Sequence, residues 1–322
     1  MQKIDTYQPL ILSYLEETNA FWENHEQAKW LLDNAWDLSQ YKSADIQLVW
    51  ASIRPYQVNK EQEKIAYSDE QLAKQRKAYE KLRDEQWIFA ITDKTQLQDT
   101  KYVDYRLNFL YHLTGCDGIK QIEDLEKLHK WWIRSMQIVR EYDNALAHCH
   151  RNESKEWLTE LGKQAVQRMD EHNIIIDTAN MNYQSMMDVY TFNKKPIINS
   201  HTNIQALFDY SRNVTDDFLD VIGDSYGIIG LSLESVCMSG SDEWANIDTY
   251  LEHIKYVRER IGDDHVAFGS GYHGMYHKRI ITGYEKIESI AMIEQKVTEV
   301  FGEKFAQKFF RENTYRIMMQ VL

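Results

Sequence analysis

Side chains able to bind ligands or move protons recur just after short apolar runs of the 322-residue chain. They are Tyr14 and Glu16, Trp50, Thr114 with Cys116 and Asp117, Arg140 with Asp143, Asn180, His201 with Arg212 downstream, Glu234, and Tyr272 with His273. A Glu and a His facing one another can divide acid and base roles. The planar fork of Arg212 suits a carboxylate, although Arg212 also precedes the N-cap pattern Thr215-Asp216-Asp217 and could instead brace a helix start. His201 could serve a ligand or be a hydrogen-bonded buried histidine, and Glu16 a pocket acid or a surface one. His148-Cys149-His150 has the look of a metal cluster. Consecutive residues of an extended segment point to opposite sides, however, and no second ligand pair is spaced nearby, so a polar loop is expected. His273 and His277 lie among glycines and are weak as ligands.

Positioning these groups falls to eight candidate strands: Pro9 to Leu15, Asp45 to Ala51, Leu107 to Leu113, Met136 to Val139, Ile174 to Asp177, Pro196 to Asn199, Gly227 to Leu233 and His265 to Gly269. Helix-period segments lie between them, for example Ile122 to Trp132, Leu158 to Asp170, Asp216 to Ile222 and Ile247 to Arg260. Strand then helix, repeated, implies a parallel sheet, and continuous runs such as Ile174-Ile175-Ile176 imply strands covered on both faces. Eight units predict an α/β fold of the (β/α)8 TIM-barrel class, with functional groups just past the C-terminal strand ends. Trp87 to Thr92 is a further short run outside that count. The charged stretch around 58–86 reads as a solvated helical insert, one helix or a pair, in a single domain spanning 1–322.

Composition narrows the partners. Fifty acidic against 37 basic residues give a net charge of -13, and the basic residues are scattered, which argues against nucleic acid. The N-terminus lacks the pattern of a secretory signal, and the apolar runs fall short of the ~20 residues of a membrane span, so no membrane is expected. Three cysteines without C-x-x-C spacing fit a reducing, cytoplasmic location.

Several motifs together resemble the renal or membrane dipeptidases, peptidase family M19. Lys195-Pro196-Ile197-Ile198-Asn199-Ser200-His201-Thr202-Asn203 is similar to the family's K-P-V-I-x-S-H-S-N, and Ser211-Arg212-Asn213-Val214-Thr215-Asp216-Asp217 follows at the right distance for its R-N-[LV]-x-D-[DE]. Leu158-Thr159-Glu160-Leu161-Gly162-Lys163, Asn144-Ala145-Leu146-Ala147 and Gln47-Leu48-Val49-Trp50-Ala51-Ser52 resemble its L-T-x-x-G-K, N-x-L-A and Q-F-W-S, so the likeness covers nearly the whole chain.

The resemblance implies a metal-dependent-hydrolase (amidohydrolase-type) barrel with a dinuclear zinc site, yet the positions that match the family's zinc site are mostly changed. On this reading Tyr14 and Glu16 stand for its first-strand His-x-Asp, Thr114 for its bridging Glu, Asn180 for its fifth-strand His, and Gly271 for the acid that handles water. Arg140 stands for the His that supports the intermediate. His201 keeps a ligand's identity, and Arg212 keeps that of the Arg engaging the substrate carboxylate. Thr, Asn and neutral Tyr are poor donors for Zn²⁺. Three functions follow as expectations: a non-catalytic relative binding a dipeptide- or amino-acid-like carboxylate; a metal-independent enzyme using Glu16 and His201; or a weak, mononuclear dipeptidase. The expected site comprises Glu16 and His201 as any catalytic pair, with Arg212, Arg140, Asn180, Tyr14, Thr114 and His273 around the ligand. No cofactor is expected, zinc being admitted only as one weak ion on Glu16 and His201 with Asn180 and water. The expected partner is a small carboxylate-containing molecule, with a homodimer left open.

Overall fold

The computed structural model describes residues 1–9, 38–58, 64–84, 88–99, 107–140, 142–152, 156–240, 245–272 and 280–322. Its strands in chain order are β1 (Lys3–Gln8), β2 (Ile46–Ile53), β3 (Tyr56–Val58), β4 (Lys64–Tyr67), β5 (Ile88–Ala90), β6 (Leu107–Thr114), β7 (Ile133–Gln137), β8 (Ile175–Asp177), β9 (Ile198–Thr202), β10 (Ile228–Leu231) and β11 (Val266–Phe268). A parallel ladder runs β1-β2-β6-β7-β8-β9-β10-β11, with helices between successive strands. Its two edges meet through the Thr6 hydroxyl, which donates to the Phe268 carbonyl at 3.0 Å, and the Gly271 N–H, which donates to the Tyr7 carbonyl at 3.1 Å. The architecture is the eight-stranded α/β barrel that the repeated strand–helix pattern predicts.

The first strand is the main correction. It covers Lys3–Gln8; of the expected run Pro9 to Leu15, Pro9 follows this strand and residues 10–15 lie outside the described residues. All six of its residues are buried although four are polar, because each polar group is met inside the fold. Lys3 Nζ donates to the Ala44 carbonyl at 2.8 Å and pairs with Glu294 at 2.6 Å. The Thr6 hydroxyl also lies 2.7 Å from the Ser200 carbonyl, so its one proton is shared between that acceptor and the Phe268 carbonyl. That reach across the barrel depends on Gly230 and Gly269, where a Cβ would fall on the Ser200 carbonyl oxygen and the Thr6 hydroxyl.

One apolar layer fills the barrel floor: Ile4, Leu48, Trp50, Leu110, Ile175, Ile198, Ile228 and Ala267. Ile317, Met318 and Val321 of the C-terminal helix Asn313–Val321 join that layer. Arg316 of the same helix holds the Tyr226 and Asp264 carbonyls, just before β10 and β11, so the helix closes the N-terminal end of the strands. The opposite end is the mouth.

The extra run at Trp87 to Thr92 is β5, a short strand beside β6. The stretch around 58–86 holds the β3–β4 antiparallel pair and one helix, Asp69–Asp84. That helix is half-buried and not simply solvated: Leu72, Ala78, Tyr79 and Leu82 face inward, and the Tyr79 ring lies against Phe109 and Tyr111 of β6.

Candidate functional site

Two strands that lie far apart in sequence bring the first pair of rings together at the mouth. Tyr7 of β1 lies flat on the imidazole of His201 of β9, with centroids 3.6 Å apart and planes 7° from parallel. The Tyr7 hydroxyl oxygen accepts from Arg140 Nη1 at 2.7 Å and from Arg54 Nη2 at 2.7 Å. Burial pushes this phenol up, but Arg140 and Arg54 outweigh burial and hold it below its ordinary value. Burial, with Arg212 and Arg140 adding to it, holds His201 well below the usual imidazole range, so the ring is neutral at pH 7.

Beneath His201 runs a chain of buried hydrogen bonds. His201 Nδ1 is 2.7 Å from Ser200 Oγ, which donates to Asp177 Oδ2 at 2.5 Å. Asp177 Oδ1 accepts from the backbone N–H of Ser200 at 2.9 Å and of Ala179 at 3.0 Å. Burial pushes the Asp177 carboxyl up to about 6. His112 of β6 sits close by, with Nδ1 2.9 Å from Ser135 Oγ. Its Nε2 is 3.4 Å from Asp177 Oδ2 but too poorly directed to bond, and burial followed by Arg140 lowers its pKa to about 3.

Arg212 pairs with Glu234, and both side chains are largely buried. A carboxylate of the chain itself therefore already meets one end of this guanidinium, while its Nε has no partner among the described residues. Thr114 Oγ1, at the end of β6, and Asn180 Oδ1, past the end of β8, are likewise buried without partners among the described residues. Asn180 has a left-handed backbone, φ 67°, and its carbonyl accepts from the His150 N–H at 2.8 Å.

The expected residues thus divide into three groups. Arg140 and His201 meet on Tyr7, Arg212 stands with Glu234, and Thr114 and Asn180 occupy strand ends. Trp50 lies within β2 as part of the floor, and Cys116 packs into the outer core, where burial pushes its thiol up. Tyr14, Glu16 and His273 lie outside the described residues. His148 and His150 diverge as a polar loop would have them: His148 Nδ1 is 3.1 Å from Asp143, and His150 Nδ1 is 2.8 Å from Ser211 Oγ. Among the described residues no group of three His, Cys, Asp or Glu side chains could hold a metal ion. Sequence reasoning misses Tyr7 and Arg54. Both omissions come from strand ends: β1 lies earlier in the chain than its apolar signal suggests, and β2 runs on to Ile53, so the residue that follows it is Arg54.

The fold recurs in solved structures. The dipeptidase AC, a metallopeptidase of family M19, superposes with a TM-score of 0.86 at 18% identity, covering 100% of this chain and 98% of that one. A metallopeptidase from Rhodobacter sphaeroides, liganded with a phosphinate mimic of the dipeptide L-Ala-D-Ala, gives a TM-score of 0.83 at 19% identity, covering 100% and 99%. At such identities the likeness concerns the fold. Among curated proteins, dipeptidase tcpJ of Claviceps purpurea is 25% identical over 65% of this chain and 50% of its own length. Dipeptidase 3 of Macaca fascicularis is 28% identical over 51% of this chain and 33% of its own. The alignments with these two relatives span half of their length or less. The family model for membrane dipeptidase, peptidase family M19, matches residues 1–322, and the chain belongs to that family.

Proposed function

We propose that this chain is a dipeptidase-family protein that has lost the dinuclear zinc site and uses the barrel mouth to bind a small dipeptide- or amino-acid-like ligand through its carboxylate. The observation that carries the reading is the surroundings of Tyr7. Two guanidiniums, Arg54 and Arg140, converge on its oxygen, and its ring covers His201. Two zinc ions need carboxylates and imidazoles with a bridging anion between them. Phenol, hydroxyl and amide groups at Tyr7, Thr114 and Asn180, with fixed cations at the same place, do not fit such a cluster. Glu16, the other ligand offered for a single weak zinc ion, lies outside the described residues.

Arg212 is the residue assigned to the ligand carboxylate. Its free Nε supports that role, and Glu234 beside it sets the competition a ligand must win. A metal-independent enzyme is the second reading, with His201 as proton acceptor. It is favoured by the neutral imidazole held in a fixed plane at the mouth.

Zinc loading and dipeptide chemistry test the proposal together. After dialysis against zinc, elemental analysis should find clearly less than one equivalent per chain, and dipeptides should remain uncleaved. Calorimetry with a dipeptide should show binding that weakens on Arg212→Ala and is not fully restored by Arg212→Lys. Two equivalents of metal with turnover would overturn the non-catalytic reading. Turnover without metal would move the assignment to the second one.

A further inference from the structure

His201 has two ring nitrogens, and the structure treats them differently. Nδ1 lies 2.7 Å from Ser200 Oγ, whereas Nε2 has no hydrogen-bond partner among the described residues. The proton count beneath the ring settles which nitrogen carries hydrogen. A carboxylate only accepts, and both Asp177 oxygens are engaged: Oδ1 by the N–H groups of Ser200 and Ala179, Oδ2 by Ser200 Oγ at 2.5 Å. The single hydroxyl proton of Ser200 is therefore spent on Asp177. What Ser200 Oγ has left is a lone pair, so the contact with His201 requires the imidazole to donate.

We infer that Asp177 and Ser200 act as a tautomer lock, holding the His201 proton on Nδ1 and leaving Nε2 as an acceptor at the mouth for an N–H or O–H group of the ligand. Two further contacts make the lock rigid. Tyr7 lies flat on the imidazole and fixes its plane, and Arg54 and Arg140 pin Tyr7 by its oxygen. Ser200 and Asp177 are positioning residues in this scheme, since of these three residues only His201 meets the ligand. The inference rests on the site of the proposed function and adds the ligand chemistry expected there: a hydrogen-bond donor beside the carboxylate that Arg212 takes. An outer partner that selects a tautomer is a known way to aim a histidine.

Nitrogen NMR of the ¹⁵N-labelled full chain reads this without any ligand. The spectra are recorded above the range in which Asp177 titrates, and the His201 signals are identified by their loss in His201→Gln. In the unaltered protein Nδ1 should carry the directly bonded proton and Nε2 should resonate as an unprotonated ring nitrogen. Asp177→Asn should reverse the assignment. The new amide would donate to Ser200 Oγ, turn the hydroxyl proton toward Nδ1 and transfer the ring proton to Nε2. Ser200→Thr, which keeps the hydroxyl, should retain the original state. A proton on Nε2 in the unaltered protein overturns the lock, as does an unchanged tautomer in folded Asp177→Asn. If Asp177→Asn does not fold, Ser200→Ala takes its place, and an unchanged tautomer there is equally decisive. Ligand binding can fail without moving these signals, so the two proposals fail separately.

Discussion

Two buried aspartates stand in this barrel in the same local arrangement and lead to different ends. Asp5 of β1 accepts from the backbone N–H of Ser270 at 3.0 Å and from the Ser270 hydroxyl. Asp177 of β8 accepts from the backbone N–H of Ser200 at 2.9 Å and from the Ser200 hydroxyl. In each case a buried carboxylate on a strand, inside β1 for Asp5 and at the end of β8 for Asp177, ties itself to a serine of the neighbouring barrel strand or the residues just past its end. Beyond the serine the similarity stops. The Asp5 network leads to further buried polar side chains: Gln8 Nε2 donates to Asp5 at 2.6 Å, and Gln8 Oε1 accepts from the Tyr41 hydroxyl at 2.6 Å. The Asp177 network runs on to His201 and ends at a ring nitrogen without a partner among the described residues. The carboxylate–serine tie is thus a device for holding neighbouring strands together, and what gives one copy a chemical role is the acceptor left over at its far end. A buried polar network with all members satisfied argues for structure, and one with an open end argues for a ligand.

Removing the two carboxylates gives the largest effect and tests whether both ties bear on stability. Asp5→Ala leaves donors on Tyr7 N, Gln8 Nε2, Ser270 N and Ser270 Oγ without their acceptor. Asp177→Ala does the same to Ala179 N, Ser200 N and Ser200 Oγ. Each buried group left unpaired costs about 1–3 kcal/mol, so urea unfolding should show both variants losing several kcal/mol, Asp5→Ala the more. A loss within about 0.5 kcal/mol for Asp177→Ala, the range of surface substitutions, would mean that Asp177 is not a tie at all.

That comparison also shows how much of the molecule is legible in its residues. The floor is legible, because Ile175, Ile198 and Ile228 lie in continuous apolar runs that only a doubly covered strand explains. The ends of β6 and β8 are legible to within a residue for the same reason, whereas β9 runs three residues beyond the expected Asn199, so that His201 lies within the strand and not past it. The first strand is not. Its Lys3, Asp5, Thr6 and Gln8 carry the polarity of a surface segment, and partners from distant parts of the chain, Ala44, Ser270, Ser200 and Tyr41, satisfy them. Local hydrophobicity cannot see a strand whose burial is arranged by long-range hydrogen bonds. Tyr7 is lost with it. Arg54 is lost to a boundary set two residues early, since Ser52 and Ile53 look like the start of a loop but continue β2.

The next effect is a pH dependence shared by both ties. Burial pushes each of the Asp5 and Asp177 carboxyls up to about 6, above the ~3.9 of an unfolded aspartate. A folded value above the unfolded one means that the fold prefers the protonated acid. That contribution is complete below the unfolded value and is lost as the pH rises through about 6. Two units correspond to on the order of 2–3 kcal/mol per group. The stability of the unaltered protein relative to Asp5→Asn, and relative to Asp177→Asn, should therefore fall between about pH 4 and pH 6 by that order and be flat above it. Carboxyl carbon shifts followed through the same range should titrate near 6. A flat difference curve for one variant and a sloping one for the other would show that the two carboxylates are not equivalent even as ties.

The smallest effect concerns the open end, where Tyr7 covers His201. If cations, and not burial, decide the state of this phenol, removing either one must raise its titration. Arg140 and Arg54 bond the oxygen at the same 2.7 Å, but the charge of Arg140 acts on it the more strongly. Arg54→Ala and Arg140→Ala should thus each move the Tyr7 titration upward, Arg140 acting more through its charge and Arg54 more through its hydrogen bond. Tyr7→Phe supplies the background, because the chain has 20 tyrosines and the signal is the difference in ultraviolet absorbance between spectra with and without this one. Arg54→Lys retains one charge and one donor but not the planar fork, so it should fall between the unaltered protein and Arg54→Ala. The order is the informative part. If Arg54→Ala and Arg140→Ala leave the titration where it was, the guanidiniums do not set the phenol, and the clamp that holds Tyr7 against His201 must be sought in packing. If Arg54→Ala moves it further than Arg140→Ala, the hydrogen bond of Arg54 outweighs the larger charge effect of Arg140 on Tyr7.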